Sequence, residues 1–347
     1  MERRPFLALL TTATAGCSAI DRTRTPTDAP TETSTATETP TGTPTETSTA
    51  TETPTGTPTE TSTATDTATE TSTETPTTAE RQARESIDAV QSTLGAVLEQ
   101  YRGSAGETIL AADAAYTDFA DRTVELGLSE AEEEIETARD ATVTDAQERT
   151  VNRLAIVRQF LASAAEVQVA LVGAYRHLQQ ARAAFEAVNA GAANGELDSM
   201  DTERRIARGP YETIVRETSA EAAAALPALD ASTYRAKRTQ FDAEMRAFGD
   251  LRGPLDEFAK GIGQLETALA LRRNGSTEQA EELAESAVRH LDTASTSLAA
   301  FADDLDTPAD SLVGMGRELS DLAASKASET RDRFELSETA TSTGDDT

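Results

Sequence analysis

One thiol, two imidazoles and a run of carboxylates are the side chains here with the most chemistry to offer. The thiol is Cys17, the single cysteine of 347 residues, so no intramolecular disulfide can form. It precedes every segment with a foldable pattern, so no scaffold stands ready to supply a base, and catalysis by it is not expected. The imidazoles are His177 and His290. His177 has no acidic residue three or four positions away, and His290 stands five after Glu285 and two before Asp292. Neither shares a helical face with a second ligand, so a transition-metal site would have to be assembled between helices. No metal and no other cofactor is expected. The carboxylates Glu130, Glu132, Glu133, Glu134 and Glu136 read as a solvated helix start, where the dipole favours negative charge. They lack the glycine-bearing loop of alternating ligands that calcium requires. No pair among the 61 acidic residues is singled out for hydrolysis. A nucleophile elbow, a phosphate loop and a dinucleotide fingerprint are missing, and Gly261-Ile262-Gly263 falls inside a helical stripe with no strand before it. Asn274-Gly275-Ser276 is an N-glycosylation sequon at an expected helix–helix turn, where the same residues would serve as turn and cap. No catalytic constellation results, and the chain is not expected to be an enzyme.

The amino terminus carries a different chemistry. Arg3 and Arg4 are followed by an apolar stretch from Leu7 to Ala15 and then Gly16-Cys17. A charged start, a short apolar run and a small-residue end make a signal peptide over residues 1–16. The run has roughly half of the ~20 residues that a membrane span requires. Arg3-Arg4 before Phe6-Leu7 resembles the twin-arginine export signal, a route taken by proteins already folded. Thr14 to Cys17, T-A-G-C, resembles a lipobox, with Ala15, Gly16 and Cys17 in the matching positions and Thr14 in place of the usual bulky aliphatic residue. The resemblance implies cleavage before Cys17 and lipid on its sulfur. Stable retention takes about two acyl-type chains, each methylene contributing ~0.8 kcal/mol. The expected localisation is the cell membrane, lipid-anchored on its extracellular face, with membrane lipid as the first partner.

Between Cys17 and residue 78 the chain is built for reach. From Thr31 to Thr77 every odd position is threonine, and the unit TETSTATETPTGTP at 31–44 recurs unchanged at 45–58. Alternation can imitate a strand, but both faces are polar and Pro40, Pro44, Pro54 and Pro58 interrupt it. A disordered stalk is expected, of the Thr- and Ser-rich kind that accepts O-linked sugars. Its span is roughly 40–45 Å if flexible and up to about 180 Å if extended.

Residues 79–336 repeat one signal, apolar positions three and four apart. Ile87, Val90, Leu94, Val97 and Tyr101 form the first stripe, and Ile109, Ala112, Tyr116, Phe119, Thr123 and Leu126 continue it after a break at Gly103 to Gly106. The longest seam runs through Leu154, Val157, Leu161, Ala164, Leu171, Tyr175, Leu178 and Phe185, interrupted at Gln168 and Arg182. Further stripes pass through Tyr234 and Phe248, Leu255 and Leu269, Ala287 and Leu305, and Leu312 and Leu322. Thr77 with Glu80, Ser129 with Glu132, Thr144 with Gln147 and Ser276 with Gln279 fit capping boxes, and Pro210, Pro254 and Pro308 are placed in first helical turns. No strand signal occurs. The spacing predicts an all-α fold, an elongated antiparallel bundle or pair of bundles of about seven to nine helices, with a disordered tail over 337–347.

Composition narrows the partners. The net charge is −30, with 61 acidic residues beside 31 basic ones, and only Lys237, Lys260 and Lys326 are lysines. The pattern resembles proteins of salt-loving archaea, and the targeting segment, 17 of the 347 residues, resembles that of a haloarchaeal twin-arginine-exported lipoprotein. At about 1 M salt the Debye length is ~3 Å, so carboxylate repulsion is screened. A surface of this sign repels phosphate, so nucleic acid is not an expected partner. The expected function is a non-catalytic helical interaction domain, held off the membrane by its spacer and contacting envelope or surface proteins. The alternative is a ligand-capture module serving an envelope transporter, with a pocket between helices.

Overall fold

The computed structural model describes residues 76–305 and 307–336. Arg3, Arg4, Ala15, Gly16, Cys17, the Thr-rich segment up to 75 and the tail from 337 lie outside the described residues. Among the described residues eight α-helices follow one another: α1 (Thr78–Arg102), α2 (Asp121–Ala141), α3 (Asp145–Glu186), α4 (Ala190–Glu217), the single turn α5 (Ala220–Ala223), α6 (Ala231–Arg273), α7 (Thr277–Asp304) and α8 (Val313–Phe334). Two 3₁₀ segments, Ile109–Ala111 and Thr307–Leu312, complete the set, and no strand occurs among the described residues. The fold is an all-α bundle.

Capping sets where the helices begin. Thr77 Oγ1 accepts from the Glu80 amide at 3.2 Å while Glu80 Oε2 accepts from the Thr77 amide at 2.7 Å, the reciprocal box the spacing predicts. Thr144 Oγ1 accepts from the Gln147 amide at 3.3 Å and opens α3. The side chain of Gln147 turns elsewhere, taking the Val143 amide and giving its own N–H to the Glu80 carbonyl. At the junction of α3 and α4 the Asn189 amide reaches back to Ala184 O at 3.0 Å, which puts Val188 in a left-handed conformation, φ 55°. That is unfavourable for a β-branched residue.

The helices pair as neighbours: α1 with α2, α3 with α4, α6 with α7, and α7 with α8, while α4 and α3 both lie against α6. At 42 and 43 residues, α3 and α6 are about 63–65 Å long. One core is continuous along them, with a satellite of Leu265, Ala268, Ala280, Ala284, Ala287 and Phe334 at one end. Phe160 meets Tyr234 at 4.7 Å and Phe185 stacks on Phe258 at 4.2 Å, tying α3 to α6 at two heights. Each such buried ring contributes roughly 1.5–3 kcal/mol by burial. A window of α3 is apolar enough to cross a membrane, yet 61% of it is buried inside the bundle, as in a core helix.

Five expectations from the sequence differ from the structure. Residues 109–119 do not extend a helix: only one 3₁₀ turn forms, α2 starts at Asp121, and Leu126 is 63% exposed. Ser129 therefore lies inside α2, where its hydroxyl bonds back to Glu125 O, and the glutamates from Glu130 to Glu136 stand mid-helix, away from any dipole end. Glu132 finds Arg158 on α3 instead. Ser276 caps α7 by position with no side-chain bond. Pro210 and Pro254 sit inside α4 and α6 and do not start helices. The carbonyls that lose an N–H partner, those of Ile206 and Asp250, belong to exposed residues, where water can replace the bond.

Candidate functional site

Between Gly103 and Ala120 the chain is not α-helical for 18 residues, broken only by the 3₁₀ turn Ile109–Ala111, and runs against the core. Loops of this length are uncommon in compact domains. Gly103 starts it with φ +48°, and a Cβ there would lie 2.4 Å from Tyr116 Oη. Ile109, Ala112 and Ala114 are buried, so main-chain groups go inside with them and need partners.

The partners come from the seams of α3 and α6. Gln168, Lys237 and Glu244 are fully buried, and Gln240 nearly so. Lys237 Nζ donates to Ala112 O, to Gln168 Oε1 at 3.0 Å and to Gln240 Oε1 at 3.2 Å, which uses all three of its N–H bonds. Gln168 Nε2 donates to Asp113 O at 2.6 Å and Gln240 Nε2 to Leu110 O at 3.0 Å. The Ala114 amide donates to Glu244 Oε1 at 3.2 Å, and Gln240 Nε2 reaches the same oxygen at 3.2 Å. Tyr101 from α1 donates toward Ala164 O and Gln168 Oε1, at 3.2 and 3.3 Å. Glu244 Oε2 has no hydrogen-bond partner among the described residues. Outside this ring, Arg102 donates to Glu107 O and Arg176 to Thr117 O, fastening the two ends of the loop.

Burial governs the electrostatics. The Lys237 ammonium lies 4.4 Å from the Phe241 ring centroid and 5.5 Å from that of Tyr101. Desolvation pulls its pKa down to about 8, against the pull of Glu244 and Asp113. Desolvation likewise pushes Glu244 up to about 7, partly offset by Lys237 and by the Ala114 amide. The Tyr101 hydroxyl is raised by burial and by Glu244. A lysine with a lowered pKa beside a carboxylate has the makings of a nucleophile and a base. Here every Nζ donor is committed to a fixed acceptor and the ammonium is out of solvent, so the cluster's chemistry is to hold the loop's backbone.

The two histidines meet single carboxylates across helix pairs. His177 Nδ1 lies 2.7 Å from Glu196, joining α3 to α4, and His290 Nδ1 lies 2.7 Å from Glu257, joining α7 to α6. Glu257 also takes Lys260 Nζ at 2.6 Å, and these two bonds hold its carboxyl below the usual range, Lys260 more than His290. Among the described residues no three His, Cys, Asp or Glu side chains converge on a metal position. Asn274 is exposed at the α6–α7 turn, where Gly275 has φ +82° and Ser276 N–H returns to Leu271 O.

None of the four residues of the ring was singled out as a site from sequence, although the signal was present. Lys237, Gln240 and Glu244 fall on the stripe between Tyr234 and Phe248, and Gln168 interrupts the seam between Ala164 and Leu171. A polar residue on an apolar seam must be hydrogen-bonded inside. Compared with protein-family models, curated proteins and solved structures, the chain finds no match in any of the three.

Proposed function

We propose that this chain is a lipid-anchored protein of the outer membrane face whose helical domain makes non-catalytic contacts with other envelope or surface proteins. The observation that carries the reading of the domain is where its buried polar groups point. Lys237, Gln240, Glu244 and Gln168 are engaged with the main chain of residues 110–114 and with one another. The interior is thus occupied by its own loop, and what the domain offers to other molecules is its outer helical surface. The anchoring half of the reading rests on Arg3-Arg4, the apolar run and Ala15-Gly16-Cys17. The capping box at Thr77 and Glu80 supports a sharp change from spacer to folded domain, since it falls where the threonine alternation stops.

Fractionation of cells expressing the full chain tests the proposal. The native protein is expected in the membrane fraction and labelled by a membrane-impermeant biotin reagent on intact cells. Cys17→Ser is expected to move it to the soluble fraction with its helical content intact. Retention of Cys17→Ser in the membrane, or native protein soluble in the cell interior, would overturn the anchoring.

A further inference from the structure

Where α6 and α8 both finish, Leu269, Arg272, Arg273 and Arg333 line an open cleft of about 630 Å³. No carboxylate among the described residues lines it, in a chain whose acidic residues outnumber its basic ones 61 to 31. The protein holds two of these guanidiniums in place. Arg272 Nη1 donates to the Arg333 carbonyl while its guanidinium lies over the Phe334 ring, 5.1 Å from the centroid. Arg273 Nε donates to Leu269 O at 3.1 Å. Each anchor uses one of the five N–H donors of a guanidinium, and the other donors need acceptors.

Helix C-termini favour cations, which accounts for basic residues in the last turns of α6 and α8. Arg331 is one of these and is tied to Asp292. The dipole favours each of these residues separately and does not explain why three arginines line one cleft with no described carboxylate beside them, because like charges raise one another's energy unless an anion lies between them. We infer that this cleft is an oxyanion site, taking a compact, multiply charged phosphate- or carboxylate-bearing group. Arg273 and Arg333 supply forked N–H pairs to it and Arg272, braced on Phe334, supplies a fixed positive wall. Such an anion has two sources, a separate small molecule or the chain's own Glu338, Asp345 and Asp346, which follow shortly after Leu336. The inference is independent of the anchoring at Cys17.

Calorimetric titration of the full chain with inorganic pyrophosphate tests it, at the lowest chloride concentration that preserves the helical signal and again at about 2 M. Binding is expected at the lower salt, weakened about tenfold or more by Arg273→Gln or Arg333→Gln and unchanged by Arg331→Gln. The same titration on E338Q/D345N/D346N separates the sources. Binding by the native chain identifies a separate ligand. Binding that shows only after the three carboxyls are neutralised identifies the chain's own acidic segment as the occupant. No binding by either form, or equal binding by Arg273→Gln, Arg333→Gln and the native chain, would overturn the site.

Discussion

Replacing Lys237 with methionine keeps most of the side chain's length and removes its charge and its three donors. The Ala112 carbonyl then stays buried without a partner, a loss of roughly 1–3 kcal/mol. Glu244 stays in the core without the cation that offsets its desolvation, and breaking a buried pair in this way costs roughly 3–5 kcal/mol. The two penalties overlap because the same loop relaxes for both, so the expected loss is about 4 kcal/mol near neutral pH. The pH dependence is more diagnostic than the size. Glu244 binds its proton more tightly folded than unfolded, so its contribution is fully present below the ordinary value of 4.5 and is lost as pH rises through about 7. Lys237 has a lowered folded value, so its contribution is present above 10.5 and is lost as pH falls through about 8. From these two groups the native protein therefore loses stability between about pH 4.5 and 7 and regains it above 8. Lys237→Met keeps the first limb, extended upward because Glu244 has lost its cation, and lacks the second. The gap between the two proteins is expected to widen from pH 6 to pH 9 by about 1 kcal/mol or more. Urea unfolding followed by circular dichroism at fixed molar salt measures this. The double variant Lys237→Met/Glu244→Leu, with no buried charge left, should be less destabilised than the sum of its singles. A loss under about 1 kcal/mol that does not vary with pH, together with additive singles, would refute a charged, load-sharing cluster.

The remaining predictions concern packing, capping and salt. Gly261→Ala places a Cβ 2.8 Å from Leu291 Cγ and 3.2 Å from Ala287 O, so it should cost roughly 1–3 kcal/mol despite alanine's better helix propensity, read from the denaturation midpoint. Thr77→Ala removes the hydroxyl that takes the Glu80 amide, and should lower stability by about 1 kcal/mol and speed amide exchange in the first turn of α1 alone. Dilution from molar salt should lower the melting temperature steadily, since screening of the surface carboxylates falls as the Debye length grows from about 3 to about 30 Å; a salt-independent midpoint would rule out the halophilic reading.

Much of the helical framework is legible from spacing alone. Ile87 to Tyr101, Leu154 to Phe185 and Leu255 to Leu265 are buried as the three-four rhythm requires, apart from Tyr175, which is half-buried. The rhythm misleads at 109–119, because Ile109 and Ala112 are buried through a loop whose backbone is satisfied by side chains 55 to 130 positions away. No local pattern carries that information. Proline misleads at 210 and 254 for the opposite reason: interior positions are tolerated where the orphaned carbonyl faces water, and exposure is a tertiary property. The ring itself is written in the sequence as polar residues on apolar seams, and Lys237 stands out as one of only three lysines. What spacing cannot say is that the four side chains converge on one stretch of main chain, because the partners lie on elements whose mutual placement depends on the whole bundle.

The scarcity of lysine makes the buried one a built-in reporter. An acylating reagent applied to the folded domain meets Lys260, which is exposed, and Lys326, whose side chain is largely covered but pairs at the surface with Glu329, while Lys237 stays out of reach. Modification at position 237 then counts the moments when residues 103–120 lift away, without an added dye or an engineered label. Its rate, read peptide by peptide in a mass spectrometer, is a clock for loop opening that the protein already carries.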